Sequence, residues 1–307
     1  MGAMTTLGWV LLTLLKAHLD ASYFVGYDAS TPLNVQMLGE EERDGYRRLY
    51  FTYEGMPGRA APTLLALPAE GAGPLPAVVF LHGIGQKKDF LDEIAGPFVR
   101  AGFAIASFDQ HMTGERKLRN ATWFEQAAGL RERGALTVIE ARRLVDYLET
   151  RPDVAPDRIY LIGASYGAMT GAVAAAFDPR FRAVALVYGG GDLRKMAGSP
   201  EVRKEIGPLA PLVGQFLGWF AAVSDPVNHV GAISPRPIFF QNGDRDRIVV
   251  PAAAQALYDA AQEPKEIKWY PSDHLDLDPE YIPIAVNDGV AWFKARDAEY
   301  VARKGNS

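Results

Sequence analysis

Residues 159–171 read IYLIGASYGAMTG, and the fold turns on how this stretch is parsed. Ile159, Tyr160, Leu161 and Ile162 form a short apolar run of the kind a buried strand requires. The chain then turns through Gly163, Ala164, Ser165, Tyr166 and Gly167 and continues as a small-residue helix from Ala168. A glycine two residues to either side of Ser165 suits a sharp strand-to-helix turn, because a larger side chain there would block the approach of helix to strand. Such a turn holds the serine in a strained conformation at its tip. It also aims a helix N-terminus at whatever the serine attacks, which favours a developing negative charge. G-x-S-x-G by itself occurs in many surface turns. Its setting between a strand and a helix makes it a nucleophile elbow.

The 307 residues suffice for a large core, and 48% hydrophobic with 22% charged residues suits a globular enzyme. A net charge of −5 with no run of Lys or Arg excludes a nucleic-acid partner. There is no cysteine, hence no disulfide, thiolate ligand or cysteine nucleophile, which fits a reducing compartment and a cytoplasmic location. Met1, Gly2 and Ala3 ahead of Met4 read as a cloning remnant. Residues 6–19, TLGWVLLTLLKAHL, are apolar until Lys16, lack a basic leader and a cleavage site, and are too short to span a bilayer. They are expected to pack as a helix on the domain, over the active-site mouth, with a membrane-surface or dimer contact as the alternative. A homodimer is compatible with this composition.

Residues 1–46 are therefore expected to form an N-terminal helical extension. From Arg47 the pattern is β: residues 48–53 and 63–68 are the arms of a hairpin about Gly55, Met56, Pro57 and Gly58. A Gly/Pro loop at 71–74 leads to the apolar run 77–81, expected to be covered on both faces. A helix over 90–101 ending at Gly102, a strand over 103–108, a helix over 122–150, the elbow strand and a strand over 182–188 follow. This alternation predicts an α/β fold with a mostly parallel sheet, an N-terminal antiparallel hairpin and helices on both faces. The core comprises residues 47–190 and 230–300. Residues 191–229 differ in composition and read as a small helical cap insertion. Its apolar residues, Leu209, Leu212, Phe216, Trp219 and Phe220 among them, face either the core or a substrate, and Phe216, Trp219 and Phe220 are the substrate-binding candidates. Strands over 237–242 and 266–270 and a helix over 283–295 close the chain.

The chemistry lies in the loops after these strands. Ser165, Asp246 and His274 each fall just past a strand end, in the order Ser, Asp, His, and open α/β sheets gather ligands at that edge. A serine hydroxyl is a poor nucleophile. An imidazole can take its proton and return it to a leaving group, and a buried carboxylate fixes the imidazole tautomer. Asp244, Asp273, Asp276 and Asp278 are rival acids. Asp244 reads as a turn residue beside Gly243, and Asp273 adjoins the histidine in sequence and so points away from its ring. The loop His82, Gly83, Ile84, Gly85, Gln86 can present a backbone N–H to an oxyanion, so the donors are placed at Ile84 and Tyr166. His82 and His229 read as structural. Five scattered histidines offer no metal-ligand spacing, and no metal or cofactor is expected.

Together HGIGQKKD, GASYGA, NGDRDRIVVP and PSDH resemble the α/β-hydrolase superfamily, in the branch of dienelactone hydrolases, acetyl xylan esterases and prolyl-oligopeptidase-like esterases. The resemblance spans residues 47–295. It implies Ser165 as nucleophile, His274 as base and Asp246 as acid, the last through Gly243, Asp246 and Val249 of a G-x-x-D-x-x-V pattern. It also implies the oxyanion donors at Ile84 and Tyr166. The apolar segment before Leu19 and the insertion after Gly191 depart from a minimal member, and an HGGG loop is absent. The expected activity is hydrolysis of short- to medium-chain carboxylic esters, the substrate being a small molecule. Peptidases and thioesterases use the same triad, and a binding protein on this scaffold would be expected to lack one of its members.

Overall fold

A computed structural model describes residues 2–43, 45–69, 73–118 and 122–305. Gly71 and Ala72 of the expected Gly/Pro loop, and Met1 of the expected remnant, lie outside the described residues. Four strands open the sheet: β1 (Gln36–Arg43), β2 (Tyr46–Met56), β3 (Arg59–Pro68) and β4 (Leu75–Leu81). Then come α2 (Leu91–Arg100), β5 (Ala104–Phe108), α3 (Trp123–Glu149), β6 (Val154–Ala164), α4 (Tyr166–Phe177) and β7 (Phe181–Val187), with α1 (Gly2–Ala21) ahead of them all. Three helices, α5 (Leu193–Ala197), α6 (Pro200–Ile206) and α7 (Ala210–Phe220), precede β8 (Ile238–Gly243). The chain ends with α8 (Pro251–Ala260), β9 (Lys265–Tyr270) and α9 (Tyr281–Gly305).

The strands lie in the order β1-β2-β3-β5-β4-β6-β7-β8-β9. β1, β2 and β3 join antiparallel, β3 meets β5 antiparallel, and every pairing from β5 to β9 is parallel. The apolar runs are continuous because both faces are covered. Val79, Leu81 and Leu161 pack with Val138, Ala141 and Leu144 of α3 and with Ala168 and Ala172 of α4. Their neighbours Val78, Phe80, Tyr160 and Ile162 pack with Leu91 and Ile94 of α2 and with Trp292 and Phe293 of α9. A period of two within an apolar run thus feeds two cores. α3 opens on a capping box, in which the Thr122 hydroxyl accepts the Glu125 N–H and the Glu125 carboxylate accepts the Thr122 N–H.

Three expectations need correction. Residues 1–46 are not wholly helical, since β1 occupies Gln36–Arg43 and pairs with β2 as an edge strand. Its sequence, QMLGEEER, has no apolar alternation because every residue is exposed, and charge on an edge strand discourages further pairing. The closing helix runs to Gly305 rather than Ala295. In the insertion, Leu209, Leu212 and Phe216 are exposed and not core-facing. The first helix also exposes Trp9, Leu11, Leu14 and Leu15. It meets the body through Trp9, edge-on to Trp219 at 6.2 Å, and through Lys16 over the same ring at 5.4 Å. Among the described residues no helix is long and apolar enough to cross a membrane.

Candidate active site

The elbow forms because backbone meets backbone. A side-chain carbon on Gly163 would lie 2.1 Å from the Gly167 carbonyl oxygen, and one on Gly167 would lie 1.9 Å from that of Leu81. No L side chain fits either gap, so helix and strand close only with glycine at both positions. Ser165 between them has φ +53° and ψ −116°, a strained conformation for a residue with a Cβ. Its N–H donates to the Val187 carbonyl (2.8 Å), and its own carbonyl accepts from Ala168 (2.9 Å) and Met169 (3.2 Å). The hydroxyl is therefore held at the tip of the turn.

The structure brings Ser165, His274 and Asp246 together although 109 and 28 residues separate them pairwise. His274 Nε2 lies 2.9 Å from Ser165 Oγ, and His274 Nδ1 lies 2.7 Å from Asp246 Oδ2. The histidine and the aspartate are both buried. The second Asp246 oxygen accepts the N–H groups of Ile248 and Val249, each at 2.8 Å, which aims the first at the ring. A carboxylate so placed selects the tautomer with hydrogen on Nδ1 and leaves Nε2 to accept from the serine.

Of the rival acids Asp276 is exposed, and Asp273 and Asp278 are engaged with other groups. Asp244 is exposed. Asp273 binds the Arg247 guanidinium and accepts the N–H of Arg247 (2.9 Å) and of its neighbour His274 (2.8 Å), tying the acid loop to the histidine loop. Burial pushes the Asp273 carboxyl up, but these backbone and guanidinium contacts together hold it below its ordinary value. Asp278 accepts the Asp273 N–H at 2.6 Å.

Tyr166 is the first residue of α4, so its N–H has no acceptor within the helix and points out of the helix N-terminus. Ile84 sits in the turn closed by Gln86 N–H on the Gly83 carbonyl (3.4 Å), and among the described residues its N–H has no acceptor. Gly83 is different: its N–H donates to Gln86 Oε1 at 2.8 Å. His82 is fully buried, with Nδ1 2.9 Å from the Gly83 carbonyl and Nε2 without a partner among the described residues. Burial pushes its imidazole down to about 4, so it is neutral near pH 7. His229 meets the Val223 carbonyl at 2.8 Å and lies edge-on to Phe24 and tilted against Phe177.

Some of the surroundings escaped the sequence. Arg133 of α3 lies 4.5 Å from the centre of the Tyr166 ring and donates to Gln110 Oε1 at 3.2 Å. Gln110 in turn donates to the His82 carbonyl at 2.9 Å. One arginine thus links the 82–86 loop to the residue after the serine. Tyr188, at φ +51°, hydrogen-bonds Ser272 and sets its ring edge-on to His274 at 5.9 Å. No motif marks these contacts, since each joins residues distant in sequence.

The insertion candidates pack with one another and with α1. Phe216 stacks on Phe220 at 5.8 Å and meets Trp219 at 6.0 Å, and Trp219 meets Trp9 of α1. Among the described residues the ring contacts of Phe216 and Trp219 run to α1 and within α7.

A serine, an imidazole and a carboxylate joined in this order make an arrangement that can carry out acyl transfer. Comparison with known proteins agrees in kind. Over 245 residues, 73% of this chain and 92% of its own length, the esterase YjfP of Escherichia coli (strain K12) is 26% identical. The Bacillus subtilis (strain 168) protein YtaP is 27% identical over 172 residues, 49% of this chain and 56% of that protein. The solved acetyl xylan esterase from Paenibacillus sp. R4 shares the fold, with a TM-score of 0.66 at 18% identity over 91% of this chain and 93% of that one. The profile of the Dienelactone hydrolase family matches residues 62–279, more than half the sequence, and the chain belongs to that family of α/β hydrolases.

Proposed function

We propose that the protein is a serine carboxylesterase acting on short- to medium-chain carboxylic esters through an acyl-enzyme. The observation that carries this reading is the unbroken hydrogen-bond series Asp246–His274–Ser165, ending on a serine at a strained turn. Ser165 Oγ attacks the ester carbonyl while its proton passes to His274 Nε2. The Ile84 and Tyr166 N–H groups, with the α4 N-terminus behind the latter, hold the oxyanion of the tetrahedral intermediate. Asp246 steadies the imidazolium. His274 then protonates the departing alkoxide, the C–O bond breaks and the acyl group stays on Ser165. Water gives its proton to the same nitrogen, attacks the acyl carbon and releases the acid, which restores the serine. The 191–229 insertion acts as a cap, with Phe216, Trp219 and Phe220 on the side from which the substrate arrives. Membership of a hydrolase family supports the reaction class, and the name of the E. coli relative supports an ester.

The test is hydrolysis of p-nitrophenyl esters from acetate to palmitate by the wild type and by Ser165→Ala. Activity that is highest on the shorter esters and lost in the variant is expected. A folded wild type inactive on every ester contradicts the reading and points to an amide, a thioester or a binding role.

A further inference from the structure

An apolar cavity of about 40 Å³ lies at the C-terminal edge of the sheet, on the face covered by α2 and α9. This is the opposite face from α4 and the insertion. Phe90 and Ile94, Ile162, and Ile282, Ala285 and Val286 form much of its wall. Three further wall residues adjoin the proposed machinery. Ala164 immediately precedes Ser165, and Leu275 immediately follows His274. Gln86 accepts the Gly83 N–H at 2.8 Å, and a side-chain carbon built on Gly83 would lie 3.5 Å from Ser165 Cβ. Residues bonded to the nucleophile and to the base thus form part of the cavity wall, together with the side chain that holds the 82–86 turn.

We infer that this cavity receives the acyl chain of the ester, and that it selects uncharged acyl groups of about two to four carbons. The inference rests on the carboxylesterase reading above. Size sets the limit: one water-sized sphere needs about 10–15 Å³ of such space, so the cavity holds about three heavy atoms beyond the carbonyl. Chemistry sets the rest. Gln86 at the mouth supplies the one polar side chain of the wall, so a charged or hydroxylated chain would lose its water without compensation. α2 and α9 close the far end, so the small end of the substrate enters and a bulky alcohol stays outside, towards the insertion. Acyl length is then set on the α9 side of the sheet, by Ile282, Ala285 and Leu275, and not by the aromatic residues of α7.

The experiment measures kcat/KM on p-nitrophenyl acetate, butyrate and octanoate for the wild type, Ala285→Leu and Ile282→Ala, with melting temperature as a folding control. Ala285 is buried, so leucine there intrudes on the cavity, whereas alanine at 282 enlarges it. The butyrate-to-acetate ratio is expected to fall at least about tenfold in Ala285→Leu. The octanoate-to-butyrate ratio is expected to rise by a similar factor in Ile282→Ala. If Ala285→Leu does not fold, Ile282→Ala still decides. Unchanged ratios in folded variants, with activity that Ser165→Ala abolishes, overturn the acyl cavity while leaving the esterase standing. Absence of Ser165-dependent turnover in the wild type overturns both.

Discussion

The loops at the sheet edge and the helix pair α1–α7 show two ways of holding a structure. At the sheet edge every element is constrained from several sides. Ser165 is strained, Asp246 spends one oxygen on two backbone donors, and Asp273 and Arg247 lock the acid loop to the histidine loop. In α1 and α7, leucines face solvent, and the two helices meet through Trp9 edge-on to Trp219 and Lys16 over the same ring. The first region tolerates almost no change of shape. The second tolerates a good deal, because little depends on any one contact.

The largest effect should come from breaking the polar series. Asp246→Asn presents an N–H where the imidazole needs an acceptor, and kcat should fall by roughly 10⁴-fold. Asp244→Asn should change it by less than about twofold, since that carboxylate is exposed and away from the ring. Steady-state kinetics on one ester separates the two. A result with the two variants exchanged would move the acid to Asp244.

Backbone closeness sharpens the contrast. In Gly167→Ala the new carbon meets the Leu81 carbonyl, and stability should drop by about 3 kcal/mol or more. In Gly8→Ala of α1 nothing lies within 4 Å of the new carbon, and the helix should gain up to about 1 kcal/mol. Urea unfolding of both variants gives the comparison directly.

A pH dependence belongs to the sheet edge. Well above pH 6.5 His82 is neutral in both the folded and the unfolded chain and adds no slope. As pH falls from about 6.5 to about 4, the unfolded chain takes up a proton that the buried ring refuses. The folded state thereby loses up to about 3 kcal/mol relative to the unfolded one. Stability measured from pH 7 to pH 4 should fall less steeply in His82→Gln than in the wild type. A small effect is expected of Trp9→Ala, which removes the edge-on contact with Trp219 and should cost about 1 kcal/mol with kcat unaltered.

These differences also explain what could be read from the chain. The elbow was legible because its geometry demands glycine at 163 and 167, and few other residues leave so plain a trace. The strands from β4 to β8 were legible because covering on both faces gives each a continuous apolar run. β1 was not, since an exposed, charged edge strand carries no periodic signal. Nor could Arg133, Gln110 and Tyr188 be found, because each matters through a partner far away in sequence. The apolar residues of α7 misled for a related reason: Leu212 and Phe216 read as facing something, and in the fold they face solvent. Hydrophobic pattern alone does not say what covers it.

The central claim is that Ser165, activated by His274, is the nucleophile. Its most direct measurement is reaction with a fluorophosphonate, followed by intact-mass and peptide mass spectrometry on the wild type and His274→Ala. One adduct per chain, carried by Ser165 and formed far more slowly in His274→Ala, is predicted. A folded wild type that takes no adduct, or takes it at another residue, contradicts the account.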